Sequence, residues 1–166
     1  MPQSTPSVQN KDAYMVYQLG GRRYAAPVSN VIEVVLSNSI MPVSDSTSYI
    51  AGILHFRGRV IPVIDTVKRL SLSSNKDNPN TYTVVFEVET DGVKRTFGAL
   101  IDKVLSVTEF SHGEIKDVED LPSEMTTPSY VKGVVENDGS FIIVVSPSKF
   151  ISNDDYSNIN NNVSDN

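Results

Sequence analysis

Between Tyr49 and Ser71 the chain reads YIAGILHFRGRVIPVIDTVKRLS, two short apolar runs, Gly52–Phe56 and Val60–Ile64, broken by Arg57-Gly58. Runs rich in Ile and Val that close around a Gly with charged neighbours predict a β-hairpin with Arg57 at its tip. The pattern returns without a gap at Tyr130–Ser152, YVKGVVENDGSFIIVVSPSKFIS, at a constant shift of 130 − 49 = 81. Gly52 meets Gly133, Gly58 meets Gly139, Ile61 meets Ile142 and Lys68 meets Lys149. The second turn is Asn137-Asp138-Gly139. Asp-Gly between apolar runs is a strong hairpin signal, because both central residues of a type I′ turn need φ > 0.

A weaker repeat precedes each block, with Tyr24–Val34 matching Phe97–Val107 at a shift of 97 − 24 = 73. The chain thus reads as one small all-β unit written twice. Positions shared by the copies are set by the fold, so function is sought where they differ. Arg57 stands opposite Asp138, Glu33 opposite Ser106 and Arg59 opposite Ser140.

The remaining pattern fills in around the two hairpins. Alternation predicts a strand over Ala13–Leu19, a turn at Gly20-Gly21, a return strand Arg22–Val28 and a further strand Val31–Leu36. Ser37–Tyr49 reads as a loop. Asp65 is placed to cap a short helical turn, and Ser146-Pro147 solves the same problem in the second copy. Tyr82–Glu89 and Val93–Ile101 form another hairpin through Thr90-Asp91-Gly92, and Glu109–Ser129 reads as a long acidic loop. Residues 1–12 are expected to be a mobile arm and 153–166 a disordered tail, leaving an ordered domain over 13–152. Many short strands with Gly and Pro turns indicate two small β-barrels packed together. The first is expected mainly from 24–75 and the second mainly from 81–152, with strand exchange because the first strand precedes the first repeat unit.

Composition narrows the function. The 166 residues carry a net charge of −6 and no cysteine, which excludes disulfides and thiolate metal sites. An acidic chain without a basic stripe argues against nucleic acid, and no apolar run is long enough for membrane insertion. The polar start, without an apolar h-region, points to a cytoplasmic protein. His55 and His112 share no ligand spacing, so no metal and no cofactor are expected, and His55 is read as a half-buried strand residue with a hydrogen-bonded ring. Neither a nucleophile elbow nor a phosphate-binding Gly loop is present. Asp65 and Asp102 could be imagined as a carboxylate pair, but a helix cap and a solvated strand end are the preferred readings. The expectation is a protein that is not an enzyme. Arg57 is the conspicuous residue, since Asn or Asp would sit more easily in such a turn. It either reaches out to a partner or pairs back to Asp65 or Glu33.

The segment Tyr49-Ile50-Ala51-Gly52-Ile53-Leu54-His55-Phe56-Arg57-Gly58-Arg59-Val60-Ile61-Pro62-Val63-Ile64-Asp65-Thr66 resembles the chemotaxis coupling protein family, the CheW-like domain, at its motif F-I-x-G-V-x-N-L-R-G-x-V-x-P-V-x-D-L. Tyr24–Val34, Phe97–Val104 and the closing block to Ile151 extend the resemblance from about Tyr14 to Ser152. It implies two interlocked five-stranded SH3-like β-barrels forming one CheW-like domain. It also implies a non-catalytic adaptor, cytoplasmic and recruited to membrane-associated receptor arrays. Such an adaptor joins the cytoplasmic tip of methyl-accepting chemoreceptors to the regulatory domain of a CheA-type histidine kinase, with self-association in rings a further possibility. On this resemblance Arg57, Gly58, Gly98, Leu100 and Val104 fall on receptor-binding positions, the last three lining a groove between barrels. Val31, Glu33 and Val34 fall on kinase-binding positions, so two separate surfaces are expected. His55-Phe56 in place of Asn-Leu, Asp45 in place of a loop proline and Thr66 in place of Leu depart from the family pattern around the receptor contact. The alternative is a stand-alone barrel module that binds a peptide or small ligand in the cleft between barrels; a weak hydrolase is a third reading without a visible nucleophile.

Overall fold

The computed structural model describes residues 11–43, 49–72, 81–120 and 128–152. Its strands are β1 (Lys11–Leu19), β2 (Arg22–Pro27), β3 (Val31–Leu36), β4 (Ile50–Phe56), β5 (Arg59–Ile64), β6 (Tyr82–Thr90), β7 (Val93–Ile101), β8 (Lys103–Ser111), β9 (Ile115–Asp117), β10 (Val131–Asn137) and β11 (Ser140–Val145). One helical turn, α1 (Thr66–Arg69), follows β5. The expected all-β class and its hairpins at Gly20-Gly21, Arg57-Gly58, Asp91-Gly92 and Asp138-Gly139 are present, each turn with positive φ at both central residues.

The strands assemble into two sheets that curl into half-barrels, ordered β3-β6-β7-β5-β4 and β8-β1-β2-β11-β10-β9. The repeat is visible in this order, since β3, β6, β7, β5 and β4 correspond to β8, β1, β2, β11 and β10. However, the division at 24–75 and 81–152 does not follow the sheets. β6 and β7 complete the sheet of β3, β4 and β5, whereas β1 and β2 complete the sheet of β8 to β11. Strand exchange is therefore mutual. The chain crosses from one sheet to the other at the 3-10 turn Val28–Asn30 and returns at Asp102.

Burial explains why these hairpins are the exchanged pieces. On β1, Met15, Tyr17 and Leu19 enter a central cluster with Tyr24, Phe86, Phe97 and Phe150, while Tyr14 and Val16 enter the interior of their own half-barrel. β6 does the same, with Val84, Phe86 and Val88 in the central cluster and Val85 in the interior of the other half-barrel. A strand with a core on each face needs apolar residues at consecutive positions, as in Tyr14-Met15-Val16-Tyr17. The aromatic rings of the central cluster occupy much of the space between the sheets, and a recess of about 190 Å³ at its rim is lined by Val88 and Glu89 of one sheet and Lys132 and Val145 of the other.

Gly52 and Gly133 show a close approach repeated in both copies. A Cβ at Gly52 would collide with the Met41 carbonyl, and one at Gly133 would lie 2.5 Å from the Lys116 carbonyl oxygen. In each case a neighbouring chain segment crosses directly over the glycine: Met41 bridges Ile53, and β9 pairs with β10.

Several local expectations are corrected. The arm expected over 1–12 is strand from Lys11, where β1 pairs with the end of β8; residues 1–10 lie outside the described residues. The loop expected over Glu109–Ser129 instead contains the end of β8, then β9 and a 3-10 turn over Val118–Asp120, because Ile115 pairs with Val135 and packs into the half-barrel interior. The whole tail expected over 153–166 also lies outside the described residues. Asp65 caps α1 as expected, accepting the Lys68 N–H at 3.2 Å. Ser146 precedes Pro147 at the start of a 3-10 turn but makes no side-chain cap bond.

Candidate functional site: the seam of the first half-barrel

β3 and β4 are the two edges of the five-stranded sheet, and curling brings them close enough for one side-chain contact to span the seam. At the β4–β5 turn Arg57 adopts φ 49 and Gly58 φ 78. The equivalent first positions of two other hairpins hold Asp91 and Asp138, residues whose short side chains tolerate this conformation. Arginine here is costly to the local backbone, and its placement gives it something to reach. Its Nη2 donates to Glu33 Oε1 at 3.0 Å, and its guanidinium lies 4.9 Å from the centre of the Phe56 ring.

Glu33 is presented by a β-bulge. The pairing of β3 with β6 slips between Val31 and Glu33, leaving Ile32 as the extra residue, which re-aims the strand. The same slip recurs in the second copy where β1 pairs with β8. Val31 and Val34 pack on the central cluster, while Ile32 and Val35 pack into the half-barrel interior. The Arg57 and Glu33 side chains are 65% and 44% exposed. A pair so open to solvent contributes only about 0–1 kcal/mol to stability. The contact therefore matters for placement more than for holding the fold.

Two recesses flank it. A slot of about 430 Å³ lies on one side, with Val35 and Leu54 as apolar lining and Glu33, His55, Phe56 and Arg57 around it. A smaller one of about 230 Å³ lies on the other, where Arg59 donates to Thr96 Oγ1 at 2.7 Å. His55 is exposed, not half-buried, because it sits on the outward face of an edge strand.

The site residues expected from sequence separate into three places. Arg57 and Gly58 stand at the hairpin tip, beside the strand that carries Val31, Glu33 and Val34, so the two expected surfaces meet at one ion pair. Gly98 and Leu100 are buried in the same half-barrel; Leu100 is only 8% exposed, and a Cβ at Gly98 would lie 2.7 Å from Thr83 Cγ2. They support the sheet and offer no side chain to a groove. Val104 is 39% exposed on β8, in the other sheet, where the neighbouring Val107 reaches 65%. Val35 and Leu54 were not singled out by sequence reasoning, since apolar strand residues carry no signal that they line an open seam.

Asp102 also departs from expectation. It is buried, not solvated, at the crossover between sheets, and its Oδ2 accepts the Gly20 N–H at 3.0 Å. Burial pushes its carboxyl above the ordinary value, and the Gly20 hydrogen bond offsets part of that shift. Among the described residues no group of three or more His, Asp or Glu side chains could hold a metal, and no helix is long and apolar enough to cross a membrane.

Comparison with known proteins places this geometry in context. The family model described as CheW-like domain matches residues 13–155. The protein named Chemotaxis protein CheW from Thermotoga maritima is 27% identical over 135 residues, covering 81% of this chain and 84% of its own. That from Treponema pallidum is 27% identical over 155 residues, covering 89% and 87%. Protein FrzA of Myxococcus xanthus is 26% identical over 132 residues, covering 76% of each. Among solved structures, the scaffolding protein TtCheW of Thermoanaerobacter tengcongensis superposes with a TM-score of 0.67 at 27% identity, over 82% of this chain and 90% of its own.

Proposed function

The chain belongs to the CheW-like domain family, and on that premise we propose that it is a non-catalytic adaptor coupling chemoreceptor tips to the regulatory domain of a CheA-type histidine kinase at cytoplasmic receptor arrays. The observation that carries this reading is the Arg57–Glu33 contact. The receptor-linked arginine and the kinase-linked glutamate share one hydrogen bond, so each is part of the other's environment. A receptor carboxylate that recruits the Arg57 guanidinium competes with Glu33 for it and changes the charge that Glu33 presents on β3. Kinase contact at Glu33 in turn alters the cost of freeing Arg57. Coupling of this kind is reciprocal by linkage, and it requires contacts that differ between the two states.

The test is kinase activity in a reconstituted mixture. A receptor cytoplasmic fragment and a CheA-type kinase are assayed for autophosphorylation with and without the full chain. Stimulation that depends on the chain supports the coupling role. Activity indifferent to the chain, with both partners folded, argues against it.

A further inference from the structure

The rim of the central cluster differs between the two sides of the molecule. On one side the recess of about 190 Å³ opens between Val88 and Glu89 of β6 and Lys132, Val145, Ser146 and Ser148 around the end of β11. The repeat identifies the equivalent residues on the other side. The shift of 81 sets Val145 on Ile64, Lys132 on Ala51 and Ser148 on Val67. The buried positions of β6 match those of β1 at a shift of 88 − 19 = 69, which sets Val88 on Leu19 and Glu89 on Gly20. The two sides therefore share a buried apolar floor and differ in the charges at its edge.

Each charge is presented by a different sheet. Lys132 is the extra residue where the pairing of β10 with β11 slips between Val131 and Gly133, and a bulge re-aims the side chain it carries. Glu89 stands near the end of β6, opposite Lys94 of β7. Among the described residues neither Glu89 nor Lys132 makes an ion pair, with Lys94 or with one another. Ser146 makes no side-chain cap bond. Asn30 Nδ2 donates to the Glu87 carbonyl at 3.0 Å, which ties the crossover turn to β6 and fixes the wall beside Glu89. Val88 and Val145 are 3% and 0% exposed, so the floor is closed and an occupant is held by charge and hydrogen bonds at the edge.

We propose that this recess binds a free α-amino acid, its carboxylate on Lys132 and the Ser146 hydroxyl and its ammonium on Glu89. One cation and one anion at the edge favour a zwitterion, because a plain anion would meet Glu89 and a plain cation would meet Lys132. The volume lies below the roughly 300–1,000 Å³ of pockets that take larger ligands, which leaves room for a single small amino acid. On the other side Ala51 and Gly20 offer no such pair, so each chain carries one site. An occupant joins the two sheets across their rim. The site uses neither Arg57 nor Glu33 and stands apart from the coupling role, so its failure would leave that role untouched.

The probe is L-alanine, titrated into the isotope-labelled full chain while backbone amide shifts are followed. Saturable shifts centred on Val88, Glu89, Lys132, Ser146 and Ser148, with a midpoint in the millimolar range, are expected. Propionate lacks the ammonium and ethylamine lacks the carboxylate, and each should bind about tenfold more weakly than alanine or less. Lys132→Ala copies the residue of the other side and Glu89→Gln removes the negative charge, both at exposed positions. Each should weaken alanine binding by a similar factor. No saturation at tens of millimolar alanine, shifts centred elsewhere, equal binding of all three compounds, or unchanged binding in both variants would overturn the proposal. The comparison of the three compounds needs no variant to fold.

Discussion

Arg57 and Glu33 lie on opposite edges of the five-stranded sheet and meet at 3.0 Å, the guanidinium also resting over the Phe56 ring. Separated by 24 residues in the chain, they are joined only because the sheet curls. Neither side chain is buried, so the pair is open to competition from any partner carboxylate or cation. This arrangement turns two expected surfaces into one joined element.

The turn itself supplies a first expectation. Arg57→Asn should leave the stability unchanged or raise it by up to about 1 kcal/mol, because Asn visits the left-handed region more readily and the lost surface pair is worth little. Denaturant titration reads this directly. A loss of cooperative unfolding would show that Arg57 holds the hairpin together.

The glycines beneath crossing segments supply a second. Gly52→Ala and Gly133→Ala should each lower stability by about 2 kcal/mol or more, since backbone carbonyls must move to admit the new methyl group. Gly113, with no atom within 4 Å of a Cβ, should accept alanine with little change. Denaturation midpoints of the three variants, compared at equal slope, separate the cases.

A buried hydroxyl gives a third. Tyr17 lies in the central cluster with its hydroxyl buried and without a hydrogen-bond partner, and burial raises its pKa beyond the ordinary tyrosine range. Tyr17→Phe should therefore stabilise the fold by about 1 kcal/mol, the reverse of the usual cost of trimming a core residue. A lower melting temperature in the variant would mean that the hydroxyl has a partner.

Asp102 sets a pH dependence of unusual sign. Its folded pKa is raised above the ordinary aspartate value, chiefly by burial, so over the interval between the unfolded and folded values the folded state binds more protons. The contribution of this group to stability thus falls as pH rises through that interval and stays unfavourable at neutral pH. Asp102→Asn, which keeps an oxygen for the Gly20 N–H, should be more stable than the parent at neutral pH. The difference should shrink toward about pH 4, where the unfolded carboxyl also begins to protonate. Unfolding free energies at several pH values check both the sign and the convergence.

Much of this architecture was legible in the chain. The shifts of 73 and 81 residues exposed the repeat, and Asp138-Gly139 identified the hairpin that validated the one carrying Arg57. Strand partners were less readable, because alternation tells which residues share a face but not which strand lies alongside. Tyr14–Tyr17 reads as one apolar strand whether it is covered by its own copy or by the other, and only the two separate clusters decide it. β9 escaped notice because Ile115 is an isolated apolar residue among charged ones, and pairing with β10, not local pattern, makes it a strand. Gly98 and Leu100 illustrate a related limit. Residues that a family motif ties to binding can serve by shaping the sheet from within, and sequence does not separate that from direct contact.

The joined character of Arg57 and Glu33 is tested most directly by titrating the regulatory domain of a CheA-type kinase into the full chain, with and without a saturating receptor-tip fragment. Binding should be saturable, should be lost in Glu33→Lys, and should shift with the fragment by about 1–3 kcal/mol, a shift that Arg57→Asn removes. Equal affinity with and without bound fragment, or no binding at high micromolar kinase, would contradict the coupling of the two residues.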